Sequence, residues 1–301
     1  MPQLNANGLA FEYESFGRES DPAILLIMGF SAQMTMWPTA LCEGLAGKGF
    51  RVVRFDNRDV GKSSHLSHLG APDIPGVMAK LASGASAAVP YTLADMAADA
   101  VGVLKALDIG SAHVVGASMG GMIEQIVAAQ YPAAARSLVS IMSTSGRRDL
   151  PQAAPEVLAA LTTPPASDSR EDRIAAGMKV WQVIGSPGYR ESEADLRAIV
   201  AREVDRAPYD PDGISRQMLA IWTALPRNDL LKTITAPTLV LHGAEDPLLP
   251  PACGEDTAAS IPGSKLVMVP GMGHGFESGL VPVYLKHIGD FVAGVEAALG
   301  R

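Results

Sequence analysis

The chain predicts an α/β protein, with a mostly parallel sheet, helices on both faces, and a helical segment inserted before the last strands. Three observations carry this. Strand-like and helix-like apolar patterns alternate from residue 10 to residue 142. Strand patterns then vanish from about Arg147 to Lys232 while helical periodicity continues, and the alternation resumes at Pro237. Strands separated by helix-length crossovers pair in parallel, and the crossovers cover both faces of the sheet.

Taken in order, strands are expected at residues 10–16 and 23–28, a helix at 39–46, and a strand at 51–55. A helix follows at 93–107, a strand at 112–117, a helix at 119–130 and a strand at 137–142. Residues 64–90 carry Gly, Ser, Ala and Pro without clear periodicity; they are too long for a simple connection and are expected to form a pocket rim or flap. Helical patterns then run over 155–161, 170–184, 192–206 and 213–225, separated by Pro-rich breaks. A strand at 237–241, a helix at 252–260, a strand at 265–269 and a helix at 281–299 complete the chain. The expected division is a core of residues 1–145 and 233–301 with a helical cap of residues 146–232. The cap would lie over the carboxyl edge of the strands, where open α/β sheets bind ligands.

Composition bounds the function. The 301 residues, 48% of them hydrophobic, suffice for one domain with a sheet buried on both faces. A net charge of −8 without a Lys/Arg cluster argues against nucleic acid or an anionic membrane as partner. A small neutral or hydrophobic molecule fits better, and the sequence is silent on oligomeric state. Cys42 and Cys253 are the only cysteines, which excludes a disulfide framework and suggests a reducing cytoplasm. Residues 1–10 have neither the basic region nor the apolar core of a secretory signal, and the longest apolar runs, such as 23–28, are strand-sized.

The most informative stretch is Gly116-Ala117-Ser118-Met119-Gly120-Gly121, between an apolar strand and an apolar helix. Small residues there allow a tight strand-to-helix turn that lifts the Ser118 hydroxyl above the sheet and leaves helix N–H groups beneath it. Serine is a poor nucleophile at neutral pH, so such a turn implies a histidine base and a carboxylate to orient it, in the chain order Ser, Asp/Glu, His. His274 is the candidate base, because Pro270-Gly271-Met272-Gly273-His274-Gly275-Phe276 is a glycine-rich loop after a strand. His113, His242 and His287 lie in or beside apolar elements and read as structural. His65 and His68 lack a third ligand nearby in sequence and read as a polar loop face, so no metal is expected. The acid should follow another strand, and Asp246 is preferred over Glu245 because Asp246-Pro247 has the stiff, short form of a turn carboxylate.

With these motifs the chain resembles the α/β-hydrolase fold family along nearly its whole length. Leu25-Leu26-Ile27-Met28-Gly29-Phe30 resembles the family's loop after the third strand, with Met28 where histidine is usual. The resemblance implies that the N–H groups of Phe30 and Met119 form an oxyanion hole. Arg54-Phe55-Asp56-Asn57-Arg58-Asp59-Val60-Gly61-Lys62-Ser63 resembles the family's Asp-x-Arg-Gly-x-Gly-x-Ser turn, with Asp59 replacing the first glycine, and is expected to be structural. Gly61-Lys62-Ser63 is not a phosphate loop, since Asp56 stands where the motif needs glycine. More narrowly, the run from Met28 to Trp37, the Asp-Asn-Arg-Asp turn and the Gly-Met-Gly-His loop resemble the aclacinomycin methylesterase group.

The resemblance implies a serine esterase that cleaves small to medium carboxylic esters through an acyl-enzyme and needs no cofactor. Carbon–carbon bond hydrolysis, lactone hydrolysis and perhydrolysis share the same three residues, and a receptor without turnover is the alternative of another class. Met28, Met34 and Trp37 near the loops, and Trp181 and Trp222 in the cap, are the candidate pocket residues. Met36 and Met122 are evenly balanced between pocket and packing.

Overall fold

A computed structural model describes residues 1–300. Eight strands, β1 (Gln3–Ala6), β2 (Leu9–Phe16), β3 (Ala23–Ile27), β4 (Arg51–Phe55), β5 (Ala112–Ala117), β6 (Ala135–Ile141), β7 (Thr238–Gly243) and β8 (Lys265–Val269), form one sheet. Its order is β1-β2-β4-β3-β5-β6-β7-β8. The β1–β2 and β2–β4 pairs are antiparallel and every later pair is parallel.

Strand β1 was not expected. It pairs with β2 through the two-residue turn Asn7-Gly8, whose φ angles of 50° and 77° suit a tight hairpin. The Asn-Gly pair announces such a turn, but the four residues before it, of which only Ala6 is buried, carry little apolar pattern.

The first four helices are α1 (Thr39–Gly47), α2 (Ile74–Ala82), α3 (Leu93–Ala106) and α4 (Met119–Gln130). Helix α2 corrects the expectation of an irregular segment at 64–90. Asp73 caps it by accepting from the Gly76 N–H at 3.0 Å, yet Val77 is its one buried residue, so hardly any apolar face marks it in sequence. Helix α3 begins with a reciprocal cap in which Asp95 Oδ2 accepts from Thr92 N at 2.7 Å and Thr92 Oγ1 accepts from Asp95 N.

Between β6 and β7 come α5 (Pro155–Thr162), α6 (Arg170–Ile184), α7 (Glu193–Arg206), α8 (Pro211–Trp222) and the single turn α9 (Asn228–Leu231), with no strand. Ser169, Ser192 and Asp210 cap α6, α7 and α8 with side-chain oxygens, which explains why each begins where it does. The chain ends with α10 (Pro251–Ser260), between β7 and β8, and α11 (Val281–Ala298). Among the described residues no helix is long and apolar enough to cross a membrane.

Alternation along the strands builds two cores. Leu25 and Ile27 of β3 pack with Met96 of α3 and Ile123 and Val127 of α4. Ile24 and Leu26 face the other side, with Leu41 and Leu45 of α1 and Ile288 and Val292 of α11. Ala220 of α8 and Leu231 of α9 join the first core, whereas α6 and α7 pack on each other around Ile174, Met178 and Val200.

Candidate active site

Ser118 sits at the junction of β5 and α4 with φ 55° and ψ −118°, a conformation costing on the order of 1–3 kcal/mol in a non-glycine residue. The surroundings hold it there. Its N–H donates to Ile141 O at 2.9 Å, and its carbonyl accepts from Ser143 Oγ at 2.8 Å. Only glycine fits at residue 120, where a Cβ would lie 2.0 Å from Ile27 O, so β3 can pass close to the start of α4.

The loop after β3 comes within reach of the serine. A Cβ on Gly29 would stand 3.1 Å from Ser118 Cβ. Two side chains grip the loop on either side of Phe30: Asn57 Nδ2 donates to Met28 O, and Gln217 Oε1 accepts from Ser31 N, each at 2.9 Å. Among the described residues, neither Phe30 N nor Met119 N has an acceptor. Two free donors beside a hydroxyl are what a developing oxyanion needs.

His274 follows β8. Its N–H donates to Ile184 O at 2.8 Å, and the preceding Gly273 N–H donates to Ser186 Oγ at 2.9 Å. Its Nδ1 donates to Asp246 Oδ2 at 2.8 Å, and both residues are buried. Oδ1 of Asp246 accepts from the N–H groups of Leu248 and Leu249, each at 2.9 Å, which fixes the carboxylate plane. Glu245 points elsewhere and accepts from Gly271 N at 2.6 Å, tying the β7 loop to the histidine loop.

Ser118, His274, Phe30, Met119, Met28, Trp181 and Trp222 all line one cavity of about 1120 Å³, as do Met36 and Met122. Ser118 and His274 share this wall without a hydrogen bond between them among the described residues, a looseness common before substrate tightens such a site. Met34 and Trp37 correct the sequence reading, because neither lines the cavity. The one-turn 3-10 helix Met34–Met36 turns both side chains into the core, where Trp37 packs 4.6 Å from the Phe276 ring and Met34 N donates to Asp56 Oδ1 at 2.7 Å.

His113 and His242 are buried in the sheet. His113 is fully buried against Ser137 Oγ at 2.8 Å, and burial pushes its pKa down to about 4. His242 donates to Leu249 O at 2.8 Å, and burial lowers its pKa although Asp246 opposes the shift. His65 meets Asp59 and Asp210, donors hidden by sequence separation. Arg216 occupies the place a cation would take there, 2.8 Å from Asp59 and 3.6 Å from Asp210.

The Asp-Asn-Arg-Asp turn is a bracing element. Asp56 accepts from Lys62 N at 2.9 Å and Arg206 Nη1 at 2.7 Å, and Arg58 is paired with Asp99 at 2.6 Å. Asp59 holds φ 62°, the left-handed conformation that favours glycine. Its carboxylate compensates by accepting from Leu66 N and from Arg216. The sequence did not reveal Gln217, in α8, or Arg227, in the loop before α9 and on the cavity wall, because neither belongs to a recognisable motif.

The sheet order, together with the serine turn after β5 and the buried histidine–carboxylate pair beyond β7 and β8, defines the class as a hydrolase built on a parallel α/β sheet. The chain belongs to the alpha/beta hydrolase fold family, whose sequence model matches residues 22–276. It is similar to the rhodomycin D methylesterase DnrP of Streptomyces peucetius, with 26% identity over 281 residues that cover 87% of each chain. DauP, the rhodomycin D methylesterase of Streptomyces sp. strain C5, is 28% identical over 281 residues, again 87% of each chain. Among solved structures, the enol-lactonase from Burkholderia xenovorans LB400 shares the fold with a TM-score of 0.74 at 22% identity, covering 97% of this chain and all of its own.

Proposed function

We propose that this chain is a serine hydrolase that cleaves small to medium carboxylic esters through an acyl-enzyme on Ser118. The observation that carries the reading is the buried 2.8 Å bond from His274 Nδ1 to Asp246 Oδ2, at the wall of the cavity that also exposes Ser118. With its proton on Nδ1, the imidazole presents Nε2 as a base. His274 takes the Ser118 proton as Oγ attacks the ester carbonyl, and the N–H groups of Phe30 and Met119 hold the resulting oxyanion. His274 then protonates the departing alcohol. Water, deprotonated by the same histidine, adds to the acyl-enzyme, and its collapse frees the acid and Ser118.

Residues 146–232 serve as a cap that shapes the pocket. Apolar groups such as Met28, Met122 and Trp181 favour an apolar acyl or alcohol portion. Two free, buried cysteines favour a reducing cytoplasm. Lactone opening is a second reading, favoured by the structural likeness to an enol-lactonase and chemically the same sequence with a tethered leaving group.

The test is hydrolysis of p-nitrophenyl esters from acetate to decanoate, with a lactone panel beside them, by wild type and Ser118→Ala. Ester turnover that vanishes in the variant supports the reading. Turnover that survives the substitution, or none in wild type across the series, removes it.

A further inference from the structure

Arginines outnumber carboxyls on the cavity wall. The wall includes Arg147, Arg148, Arg173 and Arg227, with Glu203 as the one carboxyl, in a protein of net charge −8. Burial raises the pKa of Glu203, which favours its neutral form and weakens the only opposing charge.

Arg227 stands apart from the other three. Arg147 is paired with Asp149 and Asp256, each at 2.7 Å. Half-buried Arg173 donates to the carbonyls of Val204 and Ala207 and lies over the Tyr209 ring, and Arg148 is exposed to water. Arg227 is only 6% exposed. Its Nε donates to Gln125 Oε1 at 2.9 Å and its Nη2 to Thr144 O at 2.7 Å, both uncharged acceptors. Among the described residues it forms no ion pair, and its Nη1 has no acceptor. Asp256, a carboxylate of helix α10, accepts instead from Ser145, Arg147 and Asn228.

A buried guanidinium without a counter-charge is costly unless something supplies one. Desolvation pushes its pKa down to about 10, which leaves it charged at neutral pH. Gln125 and Thr144 fix the plane of the fork, and the unused Nη1 belongs to a side chain that lines the cavity beside Thr144 and Gly146. A single buried cation is balanced by a single negative charge, and a carboxylate oxygen can accept from the unused Nη1.

We propose that Arg227 anchors a carboxylate carried by the substrate, so that the ester taken by this cavity has an anionic end, as in a half-ester of a dicarboxylic acid. The inference rests on the reading of Ser118 as the acylated residue only for the statement that the ligand is an ester. Anion recognition by Arg227 can be measured without turnover.

The experiment is calorimetric titration of Ser118→Ala with the monomethyl and dimethyl esters of succinate, glutarate, adipate and suberate. At the best chain length the half-ester is expected to bind about tenfold or more tightly than the diester. In the double variant Ser118→Ala/Arg227→Met that ratio falls toward one, while Arg227→Lys keeps part of it. Arg227→Gln, which retains a donor, replaces the Met variant if circular dichroism shows the latter unfolded. A ratio near one at every length in Ser118→Ala, or a ratio unmoved by loss of the guanidinium, overturns the proposal. Wild-type turnover of the same esters is read separately. Its absence beside a preserved half-ester preference removes the esterase reading alone, and turnover without that preference removes the Arg227 site alone.

Discussion

Asp246 and Glu245 are adjacent carboxylates with different tasks, and that difference can be measured. Asp246 orients His274 from within the buried wall, while Glu245 ties Gly271 to the loop. Asp246→Asn is expected to lower kcat by about 10⁴, as the corresponding change does in serine proteases, and His274→Ala to abolish turnover with the circular dichroism spectrum unchanged. Glu245→Gln should cost less than about tenfold in kcat, since a neutral amide oxygen still accepts from Gly271 N. Near-normal activity in Asp246→Asn with loss in Glu245→Gln would reverse the assignment. Glu124 of α4 raises a separate question. It is fully buried, and burial lifts its pKa well above the usual value although the neighbouring Ser140 hydroxyl and Gly116 backbone oppose the shift. The folded state therefore keeps a proton that the unfolded chain releases. Its contribution is complete below the ordinary glutamate pKa and is lost as pH rises toward the raised one. Glu124→Gln should gain thermal stability over wild type increasingly as pH rises above the ordinary glutamate range toward the raised pKa. Melting curves check this, and a Tm difference that does not change with pH would count against it.

At the scale of elements, α7 and α8 both reach the loop after β3, α7 through the bond of Gln33 Nε2 to Glu203 O at 2.6 Å and α8 through Gln217. Arg216 grips Asp59 with two bonds of 2.8 and 2.9 Å, and both side chains are fully buried. The next residue, Gln217, accepts from Ser31 N and donates through Nε2 to Arg58 O at 2.8 Å. Removing one partner of a buried pair leaves the other uncompensated, so Arg216→Met should destabilise by about 3 kcal/mol or more in urea denaturation. Gln217→Leu should act on the chemistry. It frees the peptide after Phe30 and misplaces a donor that matters most in the transition state, so kcat should fall roughly tenfold or more with KM little changed. A rise in KM at constant kcat would reduce Gln217 to a packing contact.

Across the whole molecule, stability is unevenly spread. The sheet is enclosed by two large cores, whereas α6 and α7 share one small cluster around Ile174, Met178 and Val200. Regions with few buried apolar contacts open first. Hydrogen exchange is expected to be faster over α6 and α7 than over β3, β5 and β6, and equal protection in both regions would mean that the helical segment opens only with the sheet.

What the amino-acid order determined by itself was local. Alternating apolar runs announced the strands from β2 to β8, small residues around Ser118 announced its turn, and Gly-rich or Pro-bounded loops placed His274 and Asp246 after their strands. Such features depend on neighbours a few residues apart, so they survive in a linear reading. Strand β1 and helix α2 escaped it because each buries too little to leave a pattern. Tertiary structure decided the rest. Met34 and Trp37 sit beside the correct loop, but a single helical turn sends them into the core. The contacts of Ser31 with Gln217, Asp59 with Arg216 and Gln125 with Arg227 span 186, 157 and 102 residues. No local propensity encodes such partners, because they meet only once the sheet and the helices between β6 and β7 have packed together.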